Sequence, residues 1–210
     1  MKKIKMIYFL LLILFLIWIA YGYFAVKWIE SLGYTIIEKK QNYEVRLVPK
    51  HIVAETKVSW EFSKATNSGF GIIANYIFWD NTKGDEISMT TPVINKKGNE
   101  KISMTSPVIQ SETDSTLSFV MPKKYTLDTL PKPNDKRVVL KEVKEKTYGV
   151  IQFSWFYSDK KFEKKKEELL EALKKDSISY ESIFFVSYNP PFTPPFMNKM
   201  EVWAELKVNN

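Results

Sequence analysis

From Met6 to Val26 the chain carries no charged residue. Such a run leaves few folding choices. It has no polar face to turn toward water, and in lipid its backbone must satisfy itself as a helix. As a helix it would span roughly 31 Å, enough for the hydrocarbon core of a bilayer. Lys2, Lys3 and Lys5 precede it and only Lys27 follows closely. The positive-inside rule then puts the N-terminus in the cytoplasm and the rest of the chain on the outer side, periplasmic or extracytoplasmic. Trp18, Tyr21, Tyr23 and Trp28 gather toward the distal end, where amphipathic rings suit the interface. The rival reading is a cleaved signal peptide. Its apolar region would be unusually long, and the nearest small-x-small site, Ala20-Tyr-Gly22, lies inside the run. We read residues 1–30 as a single-pass signal anchor (span about 6–26), 31–42 as a linker and 43–208 as one folded domain.

Composition narrows the chemistry of that domain. The chain has no cysteine and one histidine, His51. Disulfides, thiolate metal sites, haem attachment through Cys-x-x-Cys-His, zinc centres and Ser-His-Asp triads therefore have almost no material. The formal charge is +7, of which four Lys and one Glu fall within residues 1–30. The remaining basic residues are scattered among acids, as on a solvated face, so no nucleic-acid partner is expected.

Within the domain the strongest local signal is an internal echo. Ile87-Ser-Met-Thr-Thr-Pro-Val-Ile94 recurs as Ile102-Ser-Met-Thr-Ser-Pro-Val-Ile109, around a polar stretch centred on Gly98. Two β-prone runs about a Gly-containing turn predict a hairpin. Alternation predicts strands at 43–48 and 52–58, with Pro49-Lys-His51 as their turn. Phe62, Ala65, Thr66, Gly69, Phe70, Ile73 and Ile77 keep the spacing of one buried helix face, capped by Ser59. Further strands are expected at 117–121, 138–140, 147–153, 183–188 and 202–206, and Pro122 to Asp135 as an extended surface connection. A second helix begins after Ser158, with Phe162, Leu169, Leu170 and Leu173 inward and Lys/Glu pairs outward. Two halves, each with strands around one helix, predict an α+β fold with pseudo-twofold symmetry.

An ordered set of motifs from Tyr43 to about Leu206 resembles the SOUL family of haem-binding proteins, its bacterial members above all. The matching pieces are Tyr43-Glu-Val-Arg46, Val53-Ala-Glu-Thr56, Tyr76-Ile77 before Asn81, both Met-Thr-x-Pro-Val blocks, Phe119-Val-Met-Pro122, Tyr125 through Asp135, Tyr188-Asn-Pro-Pro191 and Glu201-Val-Trp203. The resemblance implies a distorted antiparallel β-barrel flanked by two helices, a fold shared with ligand-sensing domains of regulators. It also implies binding of haem or a related tetrapyrrole in an apolar groove beside the first domain helix, for holding or transfer.

On that resemblance Phe70, Ile73, Ala74 and Ile77 line the groove. The loop from Asn189 to Lys199 borders it, with Phe192, Phe196 and Met197 against the ring and Lys199 toward the propionates. Members with a haem-ligating His carry it directly after Tyr-Glu-x-Arg, where this chain has Leu47. His51, four residues on, is the candidate axial ligand to iron; the alternative is an exposed turn histidine. Met89 and Met104 are either thioether ligands or core fillers. The family's Lys after the Pro-Pro pair is Thr193 here, and its Asn before Glu-Val-Trp is Met200. No catalytic residue is expected. The competing functions are a hydrolase or tetrapyrrole-modifying enzyme using Glu55 or Glu201, and an adaptor whose Pro/Phe loop 190–197 meets a membrane or a protein.

Overall fold

The computed structural model describes residues 2–27, 29–58, 62–84, 86–96, 115–189 and 193–207; of residues 2, 25, 26 and 62–68 only the backbone is described. Ser59, Phe192, Met104 and the second echo copy lie outside the described residues. So does the turn of the expected hairpin.

The first helix, α1, runs Lys2–Lys27. It is long and apolar enough to cross a membrane, as a signal sequence also is. Beyond it the short strand β1 (Glu30–Ser31) pairs in parallel with β5 (Thr90–Thr91). Leu32 extends that tie by donating its N–H to the Thr91 carbonyl.

The other nine strands form one antiparallel sheet: β2 (Thr35–Lys39), β3 (Glu44–Val48), β4 (His51–Lys57), β6 (Val93–Lys96), β7 (Thr116–Val120), β8 (Val139–Val143), β9 (Lys146–Phe153), β10 (Tyr180–Ser187) and β11 (Met200–Leu206). Their spatial order is β2-β3-β9-β11-β10-β6-β7-β4-β8. The segment expected as a linker thus supplies β2. Its residues are exposed on both faces, so it lacks the alternation by which a strand is recognised.

The expected two-fold repeat is present in the topology. One unit is β4, helix α2 (Phe62–Phe78), β6 and β7; the other is β9, helix α3 (Asp159–Lys175), β10 and β11. They give matching orders, β6-β7-β4 and β10-β11-β9, and meet at the β6–β10 seam. The strand preceding each unit crosses over. β3 pairs with β9 of the second unit and β8 with β4 of the first.

Strand alternation divides the side chains between two faces. On the convex face Ile52, Ala54, Leu117 and Phe119 pack against Ile73, Tyr76 and Ile77 of α2. Ile151, Phe153, Phe185 and Val202 pack against Phe162, Leu169 and Leu173 of α3. On the concave face Val48, Val53, Val120, Tyr148, Val150, Val186 and Trp203 form a third cluster. Strands far apart in the sheet order meet there, so the sheet curls into a half-barrel between two helices. At Gly69 a Cβ would lie 2.5 Å from Val58 Cγ1 and 3.0 Å from Leu117 Cδ2. The absent side chain is what lets α2 approach the sheet. Ser158 caps α3, accepting a hydrogen bond from the Lys161 N–H at 3.2 Å.

Candidate functional site

His51 is the first residue of β4 rather than part of the turn before it. It shares the concave face with Val53 and Glu55, while Ile52, Ala54 and Thr56 alternate to the other side. The imidazole is half-buried, and its Nδ1 lies 2.8 Å from the Pro49 carbonyl oxygen. A carbonyl only accepts, so Nδ1 carries the proton and donates, and Nε2 keeps its lone pair. Burial holds the His51 pKa below its ordinary 6.5, partly offset by the bond to Pro49. The ring is therefore neutral near pH 7. A backbone carbonyl fixing one nitrogen while the other stays basic is the usual support for a ligating histidine.

Two cavities meet at this residue. The larger, about 680 Å³, is bounded by His51 and Ile52, by Leu32 after β1, and by the connection after β7 that carries Met121, Tyr125 and Leu127. Lys50 and Lys123 stand at its wall, with Glu30, Asp128 and Glu142. Lys50 pairs with Glu142 at 3.1 Å. The smaller, about 160 Å³, lies within the curl of the sheet between Val53, Ile94, Tyr148, Phe184 and Trp203. The larger volume falls in the range of small-molecule and cofactor sites, roughly 300–1,000 Å³. Apolar walls, one neutral imidazole and ammonium groups are the group types that a haem's ring, iron and propionates would use; Lys50 is paired with Glu142, and Glu30 and Asp128 add negative charge to the wall.

The residues assigned from the resemblance fall elsewhere. Ile73 and Ile77 have 0% and 1% of their surface exposed, inside the α2 cluster. Phe70 is half-buried and edge-on to Phe119, with ring centroids 5.2 Å apart. Ala74 is half-buried on the same helix. Close by in the sheet, Asn95 stands in register with Leu117 of the α2 cluster and Phe185 of the α3 cluster. Its amide is buried and has no hydrogen-bond partner among the described residues. Such groups are uncommon in folded proteins, which satisfy buried polar atoms.

Lys199 is committed to another site. Its Nζ lies 3.3 Å from Glu201 Oε1 and 4.0 Å from the Tyr188 ring centre. Glu201 is fully buried on the concave face. It accepts from Arg46 Nη1 at 3.0 Å, Tyr188 Oη at 2.8 Å and Trp203 Nε1 at 2.6 Å. Arg46 also pairs with Glu44 at 2.7 Å, as their shared strand face predicts. Burial alone would lower the Arg46 pKa; Glu201 and Glu44 outweigh it and the net shift is upward. Burial and the Glu201 carboxylate push the Tyr188 phenol up as well. Glu55 accepts from Ser118 Oγ at 2.9 Å and pairs with Lys141 at 2.6 Å. Both carboxylates considered for acid/base work are thus held in ion pairs. Met89 packs against the α2 cluster, and Phe196 lies exposed with Met197 beside it in a 3₁₀ turn, Pro195–Met197.

The motifs contain Met121, Tyr125 and Leu127, but nothing in them assigned these residues to the wall of the larger cavity. Met121, Lys123, Tyr125 and Leu127 lie in the proline-rich connection, where no periodicity marks a buried side. For His51 the signal existed: carrying the alternation of Val53 and Glu55 back two residues places it on the concave face.

The fold recurs in solved structures of distant sequence. The EcmrR C-terminal domain superposes with a TM-score of 0.59 at 10% identity, covering 80% of this chain and 99% of that one. An uncharacterized conserved protein from Listeria innocua gives 0.53 at 13% identity, covering 80% and 93%. A hydrolase from the same organism gives 0.51 at 12%, covering 81% and 94%. At these identities the likeness concerns the fold alone. No curated protein matches the chain. The family comparison is decisive, because the SOUL heme-binding protein family matches residues 29–205: the chain belongs to the SOUL haem-binding family.

Proposed function

We propose that this protein is a membrane-anchored haem or tetrapyrrole carrier whose ligand sits in the 680 Å³ cleft at His51. Membership of a haem-binding family supports the ligand class. The carrying observation for the site is His51 itself: a neutral imidazole, its Nδ1 held by Pro49 and its Nε2 unprotonated, at the wall of a largely apolar cleft. Bound haem would supply an iron able to take a nitrogen donor. His51 Nε2 would be that donor, Met121, Ile52 and Leu127 would cover the ring, and Lys123, with Lys50 exchanging its Glu142 partner, would meet the propionates. With Glu55 and Glu201 held in ion pairs, the arrangement favours holding and handing over a ligand above transforming it. Helix α1 would keep the domain on the outer face of the membrane, with the N-terminus in the cytoplasm.

A second location has an observation of its own. The unpartnered Asn95 amide supports a groove along α2 at Phe70 and Ala74, as the resemblance implies. Of the loop residues the resemblance sets at that groove, Lys199 is instead held by Glu201, and Phe196 and Met197 lie in the turn beside Trp155 and Gly22. Haem titration of the full chain in detergent, followed at the Soret band, separates the two. The His51 cleft predicts saturable one-to-one binding that weakens strongly in His51→Ala and is unchanged in Ala74→Phe. The reverse pattern would move the site to α2. Absence of a saturable change would remove the function.

A further inference from the structure

Helix α1 does not leave the domain freely. A Cβ on Gly22 would lie 2.5 Å from Pro194 Cδ and 3.2 Å from Met197 Sδ, so the distal part of the helix runs against the 193–197 loop. That loop is fastened to the turn before α3. Trp155 donates its N–H to the Pro195 carbonyl at 3.0 Å, and Asn198 Nδ2 donates to the Trp155 carbonyl at 3.4 Å. Trp155 has φ +87°, a conformation bulky residues rarely adopt. The strained turn leaves its ring 52% exposed, beside Phe156 at 62% and near Phe196 at 47%. Trp155 and Phe156 meet edge to face with centroids 6.0 Å apart. Outside α1 only one other exposed aromatic is found among the described residues, Trp79. Lys161 Nζ covers the turn's carbonyls, lying 3.1 Å from that of Phe156 and 3.4 Å from that of Ser154. The backbone at the patch therefore has partners when it leaves water.

We infer that Trp155, Phe156 and Phe196 insert into the interfacial layer of the bilayer that α1 enters, so that the domain lies against the membrane instead of hanging from it. This rests on the reading of α1 as a membrane span. The occupant follows from position. The patch is built on the loop that touches α1 at Gly22, near the exposed Tyr21, Tyr23 and Phe24, which belong to the same aromatic level. Tryptophan and phenylalanine in a solvent-facing turn suit the boundary between headgroups and acyl chains. The cleft would then lie close to the lipid phase, since Glu30 and Ser31 at its wall follow α1 within a few residues.

The chain has no cysteine, so single labels can be introduced cleanly. Four variants of the full chain, Leu12→Cys, Phe156→Cys, Phe196→Cys and Lys174→Cys, would carry an environment-sensitive fluorophore. Each would be reconstituted in phosphatidylethanolamine/phosphatidylglycerol vesicles with and without nitroxide-labelled lipid. Position 12 reports on the anchor. Position 174 lies at the far end of α3, roughly 24 Å from its start. The inference expects quenching by labelled lipid at 12, 156 and 196, several-fold stronger than at 174. Quenching at 12 but not at 156 and 196 would overturn the docking and leave the anchor standing. No quenching at 12 would overturn both. Blue-shifted emission at 156 and 196 that labelled lipid does not quench would assign the patch to a protein partner and overturn the bilayer as its occupant.

Discussion

Two residues on the concave face, one half-buried and one fully buried, have different electrostatic surroundings. His51 is held neutral, whereas Glu201 gathers Arg46, Tyr188, Trp203 and Lys199 around its carboxylate. Because burial lowers the folded pKa of His51 below 6.5, the unfolded chain binds the proton first as pH falls. Its contribution to stability is therefore constant above 6.5 and lost progressively from there down through the folded value. Removing the titrating group in His51→Gln should flatten that part of a stability-versus-pH curve from chemical denaturation; an unchanged slope would contradict the assignment. The same depression lets Nε2 compete with protons for iron below pH 6.5, so a haem complex should keep its Soret band into mildly acidic buffer. At Glu201 the expected change is larger. Glu201→Ala leaves Arg46, whose side chain is only 4% exposed, with Glu44 alone and removes the acceptor of the buried Tyr188 and Trp203, and should cost about 3–5 kcal/mol. The loss would appear as a lowered denaturation midpoint, against Lys141→Ala at the exposed Glu55 pair, where about 0–1 kcal/mol is expected. The family motifs made Glu201, Tyr188 and Trp203 visible in the sequence, and the structure uses all three in this network. Motif matching finds such scaffold residues readily. It also picked out Met121, Tyr125 and Leu127, but not that they wall a cavity, since one face of an irregular connection has no period to follow.

At the scale of elements, what could be read depended on how local each signal was. Helix α3 was legible except for Lys166, which is buried beside Glu163 and not on the outward face, because its cap, its inward Phe and Leu residues and its other charges repeat within a few turns. Ser158→Ala should therefore cost about 1 kcal/mol through the lost bond to Lys161 N–H, measured by denaturation. Strand β2 was not legible, since Ile36 and Ile37 are both exposed and no alternation distinguishes a face. The echo predicted a hairpin of its two copies. The first copy supplies β5 and the start of β6, and β6 pairs with β7 and β10. The exchange of β3 and β8 between the halves is non-local, and short-range patterns hold no record of it. One glycine carries more than its position in a helical pattern shows. Gly69→Val would drive a side chain into Val58 and Leu117, overpacking that costs about 1–3 kcal/mol and should reduce the secondary-structure melting temperature.

In the whole molecule a long apolar helix leads into a half-barrel with two flanking helices, and a cleft begins a few residues beyond that first helix. If α1 remains attached as a span, the protein should stay with membranes through alkaline carbonate extraction, and a chain lacking residues 1–28 should be released. Release of the full chain would instead indicate a cleaved signal sequence. The central claim, however, is that His51 is where the family's ligand is held. The most direct measurement is the visible spectrum of the haem complex of His51→Gly with and without added imidazole. The account predicts that the substitution abolishes the histidine-ligated Soret band and that free imidazole, entering the vacated space, restores it. A band identical to the unsubstituted protein's before imidazole is added would contradict it.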